Sequence, residues 1–321
     1  MVAGTTGRRS GVIVPARTAS PRYIYVPVHA SLMCERSRFH PFRCVPMQQT
    51  TQSRMPTGIA SLDPILDGGV PPGTVVLLLG DLGSGNYEFV FSSMVNNLVM
   101  MKAGAPKGVT PPQEIRYVTF TRIKDDVQRE IASSLNIDNL PTLIEEIRFD
   151  DLSELYFDKS VVPDDWYSHS DLMTRLQKRA GSESLLVHLS TIINNTKEGS
   201  IVVFDSLTDI ATQTQIPNLW QNLTGYLRGL QRVAKQRNIT CYLILNRGIL
   251  APAQENELAE IADAVLLFRW EESTGARRQR VMYFEKFRGV MPHLEERDLV
   301  KFAVRISATG GFEVSNIRVV I

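Results

Sequence analysis

Gly80, Gly83 and Gly85 lie in the segment VVLLLGDLGSGNY, residues 75–87, with Ser84 between the last two and Asn86 and Tyr87 directly after. Glycines so placed let a turn point its backbone N–H groups at one spot, which makes a cradle for anions. An uncharged run, Val75 to Leu79, leads into the turn and reads as a strand buried on both faces. Beyond it Phe89, Met94, Val95 and Leu98 recur at helical spacing, which predicts a helix over about Tyr87–Lys102. Strand, glycine turn and helix N-terminus together suit phosphate, since the helix end adds partial positive charge. The phosphate-loop pattern G-x-x-x-x-G-K-[ST] nevertheless fails at its two chemical positions. Asn86 stands in the lysine position, and Tyr87 replaces the short hydroxyl that holds magnesium.

The elements that must position this loop can be read in order. Ile59, Leu62, Ile65 and Leu66 suggest a short helix before the first strand, and Asp67–Gly73 supplies turns. After the loop helix, the pattern predicts a strand at Ile115–Phe120 and a helix through Val127, Ile131 and Leu135. Residues 138–180 are acidic and less periodic, and are expected to be a variable insertion with one short strand near Ile147. Within it Trp166 and Tyr167 read as anchors of a satellite cluster. Ser184–Asn194 is amphipathic, Ile201–Phe204 is an uncharged strand ending at Asp205-Ser206, and a helix spans about Asn218–Gln236. Its apolar side is read as Leu219, Leu223, Leu227 and Leu230. Thr240–Leu245 is a further strand, ending at Asn246-Arg247, and Glu255–Ala262 and Ala264–Arg269 read as helix and strand. From Arg278 the chain alternates as hairpin strands. The expected class is α/β, with a mostly parallel sheet flanked by helices and antiparallel strands last. In that order ligands sit at the carboxyl ends of the strands.

Residues 1–54 differ, with eight Arg, one Glu and scattered prolines. They read as a disordered or wrongly included extension, with Met47 or Met55 as the expected true start, and residues 55–321 as one domain. His29, Cys34, His40 and Cys44 lack the C-x-x-C pairing of a zinc site. Arginines and prolines interrupt every apolar core an export signal would need. The rest of the chain holds 27 basic and 33 acidic residues, so it offers no broad footprint for nucleic acid. Three cysteines are too few for a disulfide scaffold, and Cys241 reads as a small buried hydrophobe. No window is apolar enough to span a membrane, and a reducing cytoplasm is the expected location.

The pieces Thr57-Gly-Ile-Ala-Ser-Leu-Asp63, Gly68-Gly-Val-Pro-Pro-Gly73, the glycine turn, Ile201–Ser206 and Lys286-Phe-Arg-Gly289 together resemble the KaiC-like branch of the RecA superfamily of P-loop ATPases, to which RadA-type recombinases are related. They span about residues 56–293 in the family's order. The resemblance implies a RecA-like fold and a site for ATP or ADP at Gly80, Gly83, Ser84, Gly85, Asn86, Tyr87, Asp205 and Asn246. It assigns Asp205 to the Walker B carboxylate that orients magnesium, although Asp205-Ser206 also suits a helix N-cap. It assigns Lys286 and Arg288 to a motif that reaches a neighbouring subunit's phosphates. Arg277, Arg278 and Arg280 are read as part of the same basic cluster, and His293 resembles a family histidine after the motif. The family's paired glutamates after the second strand correspond to Thr121 and Arg122, so the general base is missing.

The reading that follows is a degenerate ATPase fold used as a regulatory or scaffolding module, with weak nucleotide binding, doubtful use of magnesium and no hydrolysis. Its expected partners are a second copy, a paralogous RecA-like subunit or a regulated protein. An ATPase completed in trans and a DNA-binding recombination accessory are the alternatives.

Overall fold

The computed structural model describes residues 53–316 except 107, 138, 159, 168–183 and 274–276, and four short strands between residues 11 and 46. The chain divides into two compact units, Met1–Gln52 and Ser53–Ile321. In the first, β1 (Gly11–Pro15) pairs antiparallel with β2 (Tyr23–Pro27), and β3 (Leu32–Glu35) with β4 (Arg43–Pro46). The side chains of His29, Cys34, His40 and Cys44 lie outside the described residues, as do Met47 and the end of the last predicted strand.

The second unit is built on one sheet, nine-stranded among the described residues. Its strands are β5 (Val75–Gly80), β6 (Ile115–Thr119), β7 (Arg148–Asp151), β8 (Ile201–Asp205), β9 (Thr240–Asn246), β10 (Ala264–Ser273), β11 (Arg277–Phe287), β12 (Lys301–Ser307) and β13 (Gly311–Asn316). The order is β13-β12-β11-β10-β5-β9-β8-β6-β7. From β10 to β7 all neighbours are parallel, and β10 to β13 are antiparallel. Strands β5, β6 and β8 are buried along their whole length, as strands covered on both faces are, with Arg116 in β6 and Asp205 at the end of β8 as buried charged residues. Helix α1 (Asn86–Ala103) packs on one face, beside Phe268, Phe302 and Phe312 of the antiparallel strands. The other face is covered by α5 (Leu185–Asn194), α6 (Leu207–Gln213), α7 (Pro217–Arg237) and α8 (Pro252–Ile261). Helix α7 begins on Pro217, ends at Asn238 in the left-handed conformation, and buries Leu223, Leu227, Leu230 and Ala234. Cys241 is fully buried, which pushes its thiol up to about 12. Among the described residues no helix is long and apolar enough to cross a membrane.

Four expectations need correcting. Residues 60–67 form successive turns in place of a short helix. Their apolar spacing is helical, but Pro64 has no N–H to extend a ladder, and Asp63 turns its carboxylate back onto Thr57 N, Thr57 Oγ1 and Gly58 N at 2.7, 2.7 and 3.1 Å. The short strand expected near Ile147 is β7, but residues 139–157 hold more than that strand: after α2 (Lys124–Ser134), α3 (Leu140–Ile144) precedes β7 and α4 (Ser153–Phe157) follows it, continuing the βα pattern beside β6. Trp166 is 78% exposed and so anchors nothing, whereas Tyr167 packs on Phe157 with centroids 5.4 Å apart. Leu219 is exposed at the start of α7 and does not join its buried stripe.

The motif around Thr57 is thus a structural latch. Asn96 donates to Gly58 O at 2.7 Å, and Gly58 sits at φ 76° with room for no side chain, since a Cβ there would lie 2.6 Å from Ser93 O. Gly58→Ala is expected to cost about 2–4 kcal/mol in urea denaturation, from backbone strain and the forced shift of α1.

Candidate functional site

The loop from Gly80 to Tyr87 leaves β5 at the carboxyl end of the parallel strands and enters α1. Gly83 and Gly85 hold φ of 69° and 113°, values that favour glycine. Ser84, fully buried, donates to Asp81 O through both N (3.0 Å) and Oγ (2.7 Å). Helix α1 starts at Gly85 without a side-chain cap, which leaves its first N–H groups facing the loop.

The β10–β11 ribbon buttresses the outside of the turn. Trp270 Nε1 donates to Leu82 O at 3.1 Å and Arg280 Nε to Gly83 O at 3.0 Å. Arg280 and Arg278 both lie over the Trp270 ring, 4.4 and 4.9 Å from its centroid. Neither Trp270 nor this use of the arginines was read from the sequence; the cross-strand pairing Trp270 with Arg280 is the signal that carries it.

Asn86 is 2% exposed and turns under the loop. Its amide lies against Gly80, where a Cβ would come within 2.7 Å of Asn86 Cγ, and its Nδ2 has no protein partner. Tyr87 reaches past the loop to Asp205.

Asp205 ends β8 and is 1% exposed. Its Oδ1 accepts from the Tyr87 hydroxyl at 3.1 Å. Its Oδ2 accepts from the Tyr117 hydroxyl at 2.6 Å and from Arg122 Nη1 at 3.2 Å. Arg122 also pairs with Glu130 and lies 5.8 Å from the Tyr87 ring centroid. Burial raises the Asp205 carboxyl above the ordinary range, against the lowering pull of Tyr117, Arg122 and Tyr87. Burial and then the Asp205 charge push both phenols upward, so they stay protonated donors. Burial alone would lower Arg122, but Asp205 and Glu130 outweigh it and the guanidinium is held above its usual value. The N-cap reading falls to the neighbour: Ser206 and Asp209 form the capping box of α6.

These residues do not fit a magnesium ion. Magnesium demands a near-octahedral oxygen shell and a free carboxylate, whereas both Asp205 oxygens are engaged and Arg122 already brings a cation to them. Thr121-Arg122 likewise offers no carboxylate for general-base work. Among the described residues no cluster of metal-ligating side chains occurs elsewhere.

The remaining candidates are dispersed. Asn246 faces Gly80 across β9 and β5, with its N–H on Thr208 Oγ1 at 2.8 Å. Lys286 and Arg288 lie near the amino end of β10, opposite the loop, because Lys286 pairs with Val265 and Val265 with Leu77. They cap α8: Lys286 Nζ donates to Ala259 O and Glu260 O at 3.0 and 2.6 Å, and Arg288 Nη2 to Glu260 O at 2.8 Å. The single basic cluster expected there is therefore split, with Arg278 and Arg280 at the loop end of β11 and Lys286 and Arg288 at the other. His293 lies in the short helix α9 (Met291–Glu296).

No family model and no curated protein matches the chain. Among solved structures it is similar to a KaiC-like protein from the hyperthermophilic archaeon Pyrococcus horikoshii OT3. The identity is 19% and the TM-score 0.52, over 82% of this chain and 98% of that one. The likeness is one of fold, and the fold is RecA-like.

Proposed function

We propose that the chain is a non-hydrolysing relative of KaiC-like ATPases, a regulatory or scaffolding module that keeps the cradle and binds ATP or ADP weakly. One observation carries this reading: Asp205, the residue matched to Walker B, spends both oxygens on Tyr87, Tyr117 and Arg122. The missing lysine and general base support it, while the glycine geometry and uncapped start of α1 support a retained anion site. A neutral amide in place of the lysine gives up a charge-assisted bond of about 1.5–3 kcal/mol, so nucleotide affinity is lowered about 10- to 100-fold. Its partner in this reading is a second copy or a related RecA-like subunit. Purified chain given ATP and magnesium is expected to release phosphate no faster than a protein-free blank. Magnesium-dependent release that disappears in Asp205→Asn would falsify the proposal.

A further inference from the structure

The carboxylate of Asp205 already has a cation beside it, and that cation comes from the chain itself. Arg122 Nη1 lies 3.2 Å from Oδ2, and its partner carboxylate on the far side is Glu130. We propose that Arg122 is the resident cation of this site, standing in for a divalent metal beside Asp205, so that a nucleotide polyphosphate is bound here free of metal. The proposal rests on the retained anion cradle argued above.

The geometry supports it from three sides. Tyr87 puts a hydroxyl onto Asp205 from α1, on the side of the phosphate loop, and its ring shares the space with the guanidinium. Tyr117 closes the second oxygen from β6. A divalent ion entering here would displace two phenol donors and face the positive charge of Arg122, a charge that Asp205 and Glu130 hold in place against the opposing effect of burial. Arg122 is itself open enough to meet a ligand, with 27% of its side chain exposed. A guanidinium has donors to spare beyond the two contacts and suits phosphate oxygens. Asn86, with a buried and unpartnered Nδ2 below the loop, adds a neutral donor but no charge. Donors for phosphate oxygens therefore come from the spare N–H groups of Arg122, from Asn86 and from the start of α1, none of which requires magnesium.

Two titrations of the full chain test this. Manganese(II) followed by electron paramagnetic resonance is expected to show no saturable site. ATP followed by calorimetry is expected to bind in excess EDTA with the affinity it shows in excess magnesium, within about twofold, and Arg122→Gln is expected to weaken the metal-free binding about tenfold. A saturable manganese site lost in Asp205→Asn overturns the proposal, as does ATP binding about tenfold tighter with magnesium. Absence of ATP binding in EDTA also overturns it, yet leaves the non-hydrolysing reading standing; phosphate release, by contrast, defeats that reading. If Arg122→Gln fails to fold, the two titrations of the unaltered chain still decide.

Discussion

Asp205→Ala lowers the stability of the chain by about 3–5 kcal/mol in urea denaturation, with an unchanged dependence on denaturant. A carboxylate that serves a magnesium ion gives its oxygens to the ion or to the water around it. Here it is 1% exposed and accepts three side-chain hydrogen bonds. Removing it strands two largely buried phenol hydroxyls and a partly buried guanidinium, and the cost of stranded partners exceeds the net worth of the bonds themselves. Tyr117→Phe, which removes one donor and leaves Arg122 paired, is expected to cost about 1–1.5 kcal/mol. A loss under about 1 kcal/mol for Asp205→Ala would show that the carboxylate is not structural.

Phe89→Ala is expected to cost about 3–5 kcal/mol by the same measurement, through the cavity it leaves and the ring contacts it removes. Phe89 is fully buried one turn into α1. Its ring meets Tyr242 of β9, Phe268 of β10 and Phe312 of β13, at centroid distances of 5.8, 5.7 and 5.4 Å. These contacts join the helix after the loop to both the parallel and the antiparallel strands. The loop keeps its shape because α1 is pinned in this way, so nucleotide affinity should fall together with stability. A loss of stability near that of an exposed substitution, about 0.5 kcal/mol or less, would mean that α1 is not pinned by this ring.

Much of the fold was legible because the central parallel strands are short, mostly apolar runs bounded by turn residues. Val75–Gly80, Ile201–Asp205 and Thr240–Asn246 are buried on both faces, and no other element needs that composition. Where local periodicity and a single breaker disagree, the spacing misled: residues 59–66 have a helical stripe, but Pro64 and the Asp63 latch turn them into loops. The edge strand near Ile147 was legible, whereas the helices beside it, α3 and α4, are five residues each and too short to show a period.

At the site, the glycines and the loss of lysine were plain in the sequence, because they are contiguous. The closure of Asp205 was not, since its partners come from residues 87, 117 and 122, on α1, on β6 and just beyond it. Tyr117 carried the available signal: a tyrosine in the middle of a buried strand favours a partner for its hydroxyl. Lys286 and Arg288 matched a motif by type, yet the carbonyls of Ala259 and Glu260 that they cap are visible only once α8 is folded against β11.

Arg122 and Asp205 act as one unit in the proposed metal-free site, and a double-mutant cycle measures their coupling. Stabilities of the parent, Asp205→Ala, Arg122→Ala and the double variant are compared in urea. A coupling of about 1.5–3 kcal/mol is expected, with the double variant more stable than the two single losses would sum to. Additive losses, within about 0.5 kcal/mol, would contradict it.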